Sequence, residues 1–171
     1  MPISLACIAG REKIPPRLVW AGVLASVIPD ADVIGYRLGI PYGDLLGHRG
    51  FSHSLIFAAL LAGIGLLRWR SLGPNPLTVL GFLFLSAASH SFLDAATNGG
   101  LGIAFFSPFS NERFFLPWRP IQVSYLSVSR FFTDRGWLVL RSEVIWVWLP
   151  FLAMGISGFL IRRGMKRSAQ Q

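Results

Sequence analysis

Two stretches of this chain are apolar and long enough to leave water altogether: LTVLGFLFLSAASHSFLDAAT, from Leu77 to Thr97, and VIWVWLPFLAMGISGFLI, from Val144 to Ile161. A run of about 20 predominantly apolar residues spans the hydrocarbon of a bilayer as a helix. Lipid offers the backbone no hydrogen-bond partner, so a spanning segment must satisfy its own peptide groups. Both stretches are expected to be transmembrane helices, the second kinked at Pro150 because proline removes a helical hydrogen bond and crowds the preceding turn. Another helix is expected from His53 to Trp69, with Ser52 capping its start. A first helix is expected from Leu18 to Ile28, ending at Pro29 or reaching backwards past Pro15 and Pro16. The fold class that follows is all-α: a multi-pass transmembrane bundle of about four helices. A non-helical stretch, PDADVIGYRLGIPYGDLLGHRG, joins the first helix to the second, and a long irregular loop from Asn98 to Arg141 joins the third to the fourth.

Composition agrees with that architecture. Of the 171 residues, 53% are hydrophobic and 14% charged, against roughly 25% charged in an ordinary soluble domain. No internal repeat, linker or low-complexity tract divides the chain, so residues 1–171 are expected to form one domain. The single cysteine, Cys7, excludes an intrachain disulfide framework. No cleavable signal is evident at the amino terminus, so insertion is expected to rest on the mature helices.

The net charge of +8 raises the possibility of a nucleic-acid partner, but the basic residues cluster beside apolar runs: Arg11, Lys13 and Arg17, then Arg68 and Arg70, then Arg162, Arg163, Lys166 and Arg167. That is the distribution of loops lying against an anionic cytoplasmic leaflet. Membrane lipids are the expected partners, and no direct nucleic-acid binding is expected. The same rule puts the two long loops on the opposite face, although Arg37, Arg49, Arg113, Arg119, Arg130, Arg135 and Arg141 lie there too. All three histidines and seven of the eight acidic residues, all but Glu12, then fall in the outer loops or in the helix ends facing them.

Three pieces of sequence on that face carry chemistry. His90 and Asp94 stand four apart, so they share one face of a helix and can approach one ion. They sit in an apolar segment, where an ionisable group needs a partner or a water-filled cavity. His48 and His53 flank Arg49 in GHRGFSHS at the mouth of a helix, and Asp30 and Asp32 follow the helix-breaking Pro29. Together they offer three imidazoles and three carboxylates, enough for one or two divalent ions. Mixed histidine and aspartate ligands suit zinc, with manganese or iron compatible by ligand type. The candidate metal ligands are therefore Asp30, Asp32, His48, His53, His90 and Asp94. The candidate catalytic residues are Asp32 and Arg49, the latter placed to hold an anionic group such as a phosphate. Gly47 and Gly50 allow the loop to bend sharply around it. A serine nucleophile, Ser52 or Ser54 beside His53, is the competing enzymatic arrangement, but no nucleophile-elbow pattern accompanies it. In NERFFLPWRPI, Arg113 and Arg119 among Phe114, Phe115 and Trp118 read as an interfacial aromatic belt.

The succession PDAD, GHRGFSHS, HSFLDAATNGG, SPF and FFLPWRPI resembles the inner-membrane metal-dependent hydrolase family, also described as LexA-binding or YdjM-like. The resemblance runs from about the first helix to Trp148, and its specific part is HRGxSHS followed by HxxxD. It implies a bacterial inner-membrane, multi-pass hydrolase whose polar motif residues here are Asp30, Asp32, His48, Arg49, His53, His90 and Asp94. More remotely the family is similar to zinc-dependent phospholipases C and single-strand nucleases, which points by analogy to phosphate esters. Family members usually carry a further histidine in the first helix, and this chain has none before His48. MPISLACIAG reads like the second half of such a helix, which leads to the expectation that the missing histidine is encoded just upstream. The expected function is a membrane-bound hydrolase of a phosphate ester near the lipid headgroups. The alternative is a non-catalytic membrane protein whose polar cluster fastens helices or docks a regulatory protein partner. A transporter is a weaker alternative, because repeated halves are lacking.

Overall fold

A computed structural model describes residues 1–123 and 133–168. Among the described residues eight α-helices run in the order α1 (Pro2–Ala9), α2 (Pro16–Val27), α3 (Val33–Arg37), α4 (Leu55–Leu67), α5 (Trp69–Leu72), α6 (Pro76–Ala95), α7 (Asp134–Glu143) and α8 (Leu149–Ser168). Among the described residues there is no strand, only the isolated bridges Thr97 to Ile121 and Ile103 to Phe114. The chain is all-helical, and its helical segments form three spans long and apolar enough to cross a membrane: Pro16–Gly35, Pro76–Ala95 and Asp134–Ser168. α4 is as apolar but has only 13 residues, about 20 Å of helix against the roughly 30 Å of a hydrocarbon core.

α6 is the centre of the bundle, with α2 and α4 packed along it, while α1 lies against α8. The core joins Leu18 and Ala25 of α2, Ala58 and Ala62 of α4, and Val79, Phe82, Leu83 and Ala87 of α6. Close approach depends on small residues, as expected where lipid gives no hydrophobic drive between helices and packing must carry association. A Cβ on Gly65 would lie 2.0 Å from Leu83, and one on Gly22 would lie 2.4 Å from Phe82. α8 buries Gly155 against Ser4 and Cys7 of α1 and leaves Leu152, Ile156 and Leu160 exposed, an apolar exterior that suits lipid.

Several boundaries differ from those expected. α2 begins at Pro16, since proline is tolerated in a first turn where its missing N–H has no role. Pro29 does not end the first span. It enters a 3-10 turn, Ile28–Asp32, that hands the chain on to α3, so the beginning of the PDADVIGYR stretch is helical. Ser54, not Ser52, caps α4, its Oγ accepting from Phe57 N at 3.0 Å. That helix stops at Arg68, before Trp69. The last span starts at Asp134, within the loop expected to reach Arg141, and a π-helical turn at Val144–Trp148 precedes Pro150. Such a widened turn relieves the crowding a proline imposes on the turn before it. Arg130 lies outside the described residues.

Candidate metal centre

Three segments bring the chemical groups together. The 3-10 turn after α2 carries Asp30 and Asp32, the turn Phe51–His53 ahead of α4 carries His53, and the last turns of α6 carry His90 and Asp94. A 3-10 helix has three residues per turn, so residues two apart point to different sides. Asp30 and Asp32 accordingly reach opposite edges of one imidazole. Asp30 Oδ1 is 3.7 Å from His53 Nε2, and Asp32 Oδ2 is 3.1 Å from His53 Nδ1.

Around Nε2 of His53 three further side chains converge. His90 Nε2 is 3.3 Å away and Asp94 Oδ2 is 3.3 Å away. Asp30 Oδ1 and Asp94 Oδ2 stand 3.3 and 3.8 Å from His90 Nε2. One ligand atom from each of Asp30, His53, His90 and Asp94 lies within 4.8 Å of the others, and this group could hold a metal ion. Three of these spacings are 3.3 Å, near the edge of a tetrahedron of ligands about 2.0–2.1 Å from one ion, and the others are wider. His53 is fully buried, His90 and Asp94 are mostly covered, and the Asp30 side chain is 48% exposed, so the group opens to solvent on the Asp30 side.

Asp32 stands behind this group. Its two oxygens face four donors: His48 Nδ1 at 2.6 Å, the Arg49 backbone N–H at 3.0 Å, Ser52 Oγ at 2.6 Å and His53 Nδ1 at 3.1 Å. An ionised carboxylate only accepts, so Nδ1 of both rings donates to Asp32, while Nε2 of His53 faces the cluster. A carboxylate on the far nitrogen is the usual companion of a metal-ligating histidine. The structure thus divides the six candidate ligands. Asp30, His53, His90 and Asp94 come together, whereas Asp32 and His48 pair with each other outside that group.

Arg49 is only 4% exposed and adopts a left-handed backbone, φ 62°. Its guanidinium turns inward: Nε lies 3.2 Å from Asp94 Oδ2, and Nη1 donates to Thr97 Oγ1 and to the Gly99 carbonyl, each at 3.0 Å. A buried cation therefore stands beside the Asp94 carboxylate. The bend is tight because Gly47 and Gly50 pass against carbonyls; a Cβ on either would lie 2.2 Å from Pro41 O or 2.4 Å from Leu45 O respectively.

Two residues have roles other than those expected. Ser52 is no helix cap but a donor to Asp32, with its Oγ also 3.0 Å from His53 Nδ1. Arg113 leaves the expected aromatic belt and turns its guanidinium onto backbone carbonyls of the site loop. A basic residue in an aromatic run carries no signal that separates a headgroup contact from an internal clamp. Beside it, burial raises the Tyr42 phenol above its ordinary pKa, which keeps it neutral against the Arg113 guanidinium 5.6 Å from its ring centre.

No solved structure matches this chain. It is similar to an Escherichia coli (strain K12) protein, inner membrane protein YbcI, with 42% identity over 160 residues that cover 91% of each chain. With its apolar spans, that similarity identifies a multi-pass protein of the bacterial inner membrane. The family described as YdjM inner membrane protein matches residues 2–167, and the chain belongs to that family.

Proposed function

We propose that this protein is a membrane-bound, metal-dependent hydrolase in which Asp30, His53, His90 and Asp94 hold a divalent cation, zinc in the first place, and that it acts on a phosphate ester in or near the lipid headgroup layer. The observation that carries the proposal is the convergence of two Nε2 atoms and two carboxylate oxygens at spacings suited to one ion, with Asp32 on the far nitrogen of His53. A cation held there supplies polarisation of a phosphoryl oxygen and a coordinated water whose pKa falls to about 7.

The protein's own groups have separable tasks. Asp32 keeps the proton on His53 Nδ1 and so keeps Nε2 free to ligate. Ser52 and the Arg49 backbone hold Asp32 in place. The Arg49 guanidinium orients Asp94 and offsets the surplus of carboxylates, leaving a divalent cation to balance the rest. Asp30, the exposed member, marks the side from which an anionic substrate approaches.

Metal content of the detergent-purified protein, read by mass spectrometry for the wild type and for His90→Ala combined with Asp94→Ala, tests the proposal. Near-stoichiometric zinc or manganese in the wild type, lost in the double variant and accompanied by metal-dependent cleavage of bis(p-nitrophenyl) phosphate or p-nitrophenyl phosphate, is the expected result. Folded wild type that takes up no metal would leave the cluster as a polar fastening between α2, α4 and α6, or as a docking point for a regulatory protein.

A further inference from the structure

Arg113 makes more contacts with the site loop than any ligand does, yet it touches none of the four proposed ligand side chains. Its Nη1 donates to the carbonyls of His48, Arg49 and Gly102 at 3.2, 3.4 and 3.4 Å, and its Nη2 to those of Tyr42 and Asp44 at 3.1 and 3.4 Å. All five acceptors are backbone oxygens, drawn from the loop that precedes α4 and from the segment that follows α6. The local fold delivers the side chain there: Ile103 and Phe114 exchange backbone hydrogen bonds of 2.9 Å, which lays Arg113 beside Gly102. Gly102, at φ 84°, passes so close that a Cβ would lie 2.9 Å from the Phe114 carbonyl.

The loop needs such a tie. Its three leucines do little to anchor it, since Leu38, Leu45 and Leu46 are 78%, 39% and 61% exposed. At its end Arg49 is held in the left-handed region, which a non-glycine residue leaves unless its neighbours prevent it. The peptide groups of Arg49 are pinned on both sides: its N–H donates to Asp32, and its carbonyl accepts from Ala104 N at 3.2 Å as well as from Arg113.

We infer that Arg113 is a positioning residue, whose guanidinium clamps the loop before α4 to the segment after α6 and thereby keeps Arg49 N–H and His48 on Asp32, and Asp32 on His53. Arginine suits the task because five donors in a rigid fork can span two loops, whereas lysine offers three donors at one point. The consequence for a bound cation rests on the metal-centre proposal above; the clamp itself does not.

The test compares full-length wild type with Arg113→Lys and Arg113→Ala in detergent, by hydrogen exchange and by the visible spectrum after loading with cobalt(II). The clamp predicts exchange at least about tenfold faster at the amides of residues 49–53 and 103–104, with α6 and the body of α4 unchanged. In the same variants the cobalt absorption changes shape and cobalt affinity falls about 10- to 100-fold, the range for loss of support behind a ligand. A residue that merely stabilised the fold would leave the spectrum of the folded protein intact. Unchanged exchange in Arg113→Lys overturns the clamp, and so does exchange raised equally throughout α4 and α6. Should Arg113→Ala fail to fold, the lysine variant, which keeps the charge and most of the stem, still decides. Wild type that binds no cobalt refutes the metal reading while exchange alone judges the clamp; wild type that binds cobalt, with exchange unaltered in the variants, refutes the clamp and leaves the metal reading standing.

Discussion

Asp32 lies on the opposite edge of the His53 imidazole from Asp30, with its Oδ2 3.1 Å from Nδ1 while Nε2 faces Asp30, His90 and Asp94. Sequence neighbours two apart thus take different parts in one site, one within the group of ligand atoms and one behind it.

Asp32→Asn separates those parts. An amide in place of the carboxylate loses one acceptor oxygen and sets an NH2 group against His48, Arg49 N, Ser52 or His53, all of which donate here. Metal is expected to remain bindable but about 10- to 100-fold more weakly. Competition against a chelator of known affinity measures this; unaltered affinity would show that Asp32 does not support the site.

The two serines beside His53 have different tasks. Ser54→Ala removes the N-cap of α4 and is expected to lower stability by about 1 kcal/mol without altering metal content. Ser52→Ala removes a 2.6 Å donor to Asp32 and is expected to weaken metal retention with little effect on the helix. Thermal unfolding followed by circular dichroism, paired with metal analysis, tells the two apart.

Arg49 joins a buried charge to an unusual backbone. Arg49→Ala leaves Asp94 with only the imidazoles of His53 and His90 beside it, and the loss is expected to fall below the about 3–5 kcal/mol of a buried pair broken from one side. Arg49→Gly loses the same pair but accepts the left-handed conformation freely, so it is expected to be about 1 kcal/mol more stable than the alanine variant. Denaturant unfolding of both proteins with a chelator present gives the comparison. Equal stabilities would mean that the loop abandons this conformation once the side chain is gone.

The distribution of basic residues predicts that the chain is oriented with the site away from the cytoplasm. In a Cys7→Ser background, a membrane-impermeant maleimide applied to spheroplasts is expected to label Asn111→Cys, in the loop after α6, and not Ser71→Cys, in α5. The reverse pattern would place the site on the cytoplasmic side.

The helical, membrane-spanning character of this protein follows from the sequence by itself, because hydropathy acts locally: a run such as Leu77 to Thr97 must span or be buried wherever the rest of the chain goes. The pairing of His90 with Asp94 was equally legible, since helical spacing alone puts them on one face. Boundaries at prolines were not. Pro29 and Pro150 are absorbed by a 3-10 turn and placed after a π turn, and the packing around each decides that such local departures are worth their backbone cost. The division of the six candidate ligands, the inward turn of Arg49 and the reach of Arg113 to carbonyls some 70 residues away in sequence were decided only by the tertiary structure. Which group faces which depends on distances between segments that α2, α4 and α6 bring together by packing, and residue order does not encode those distances.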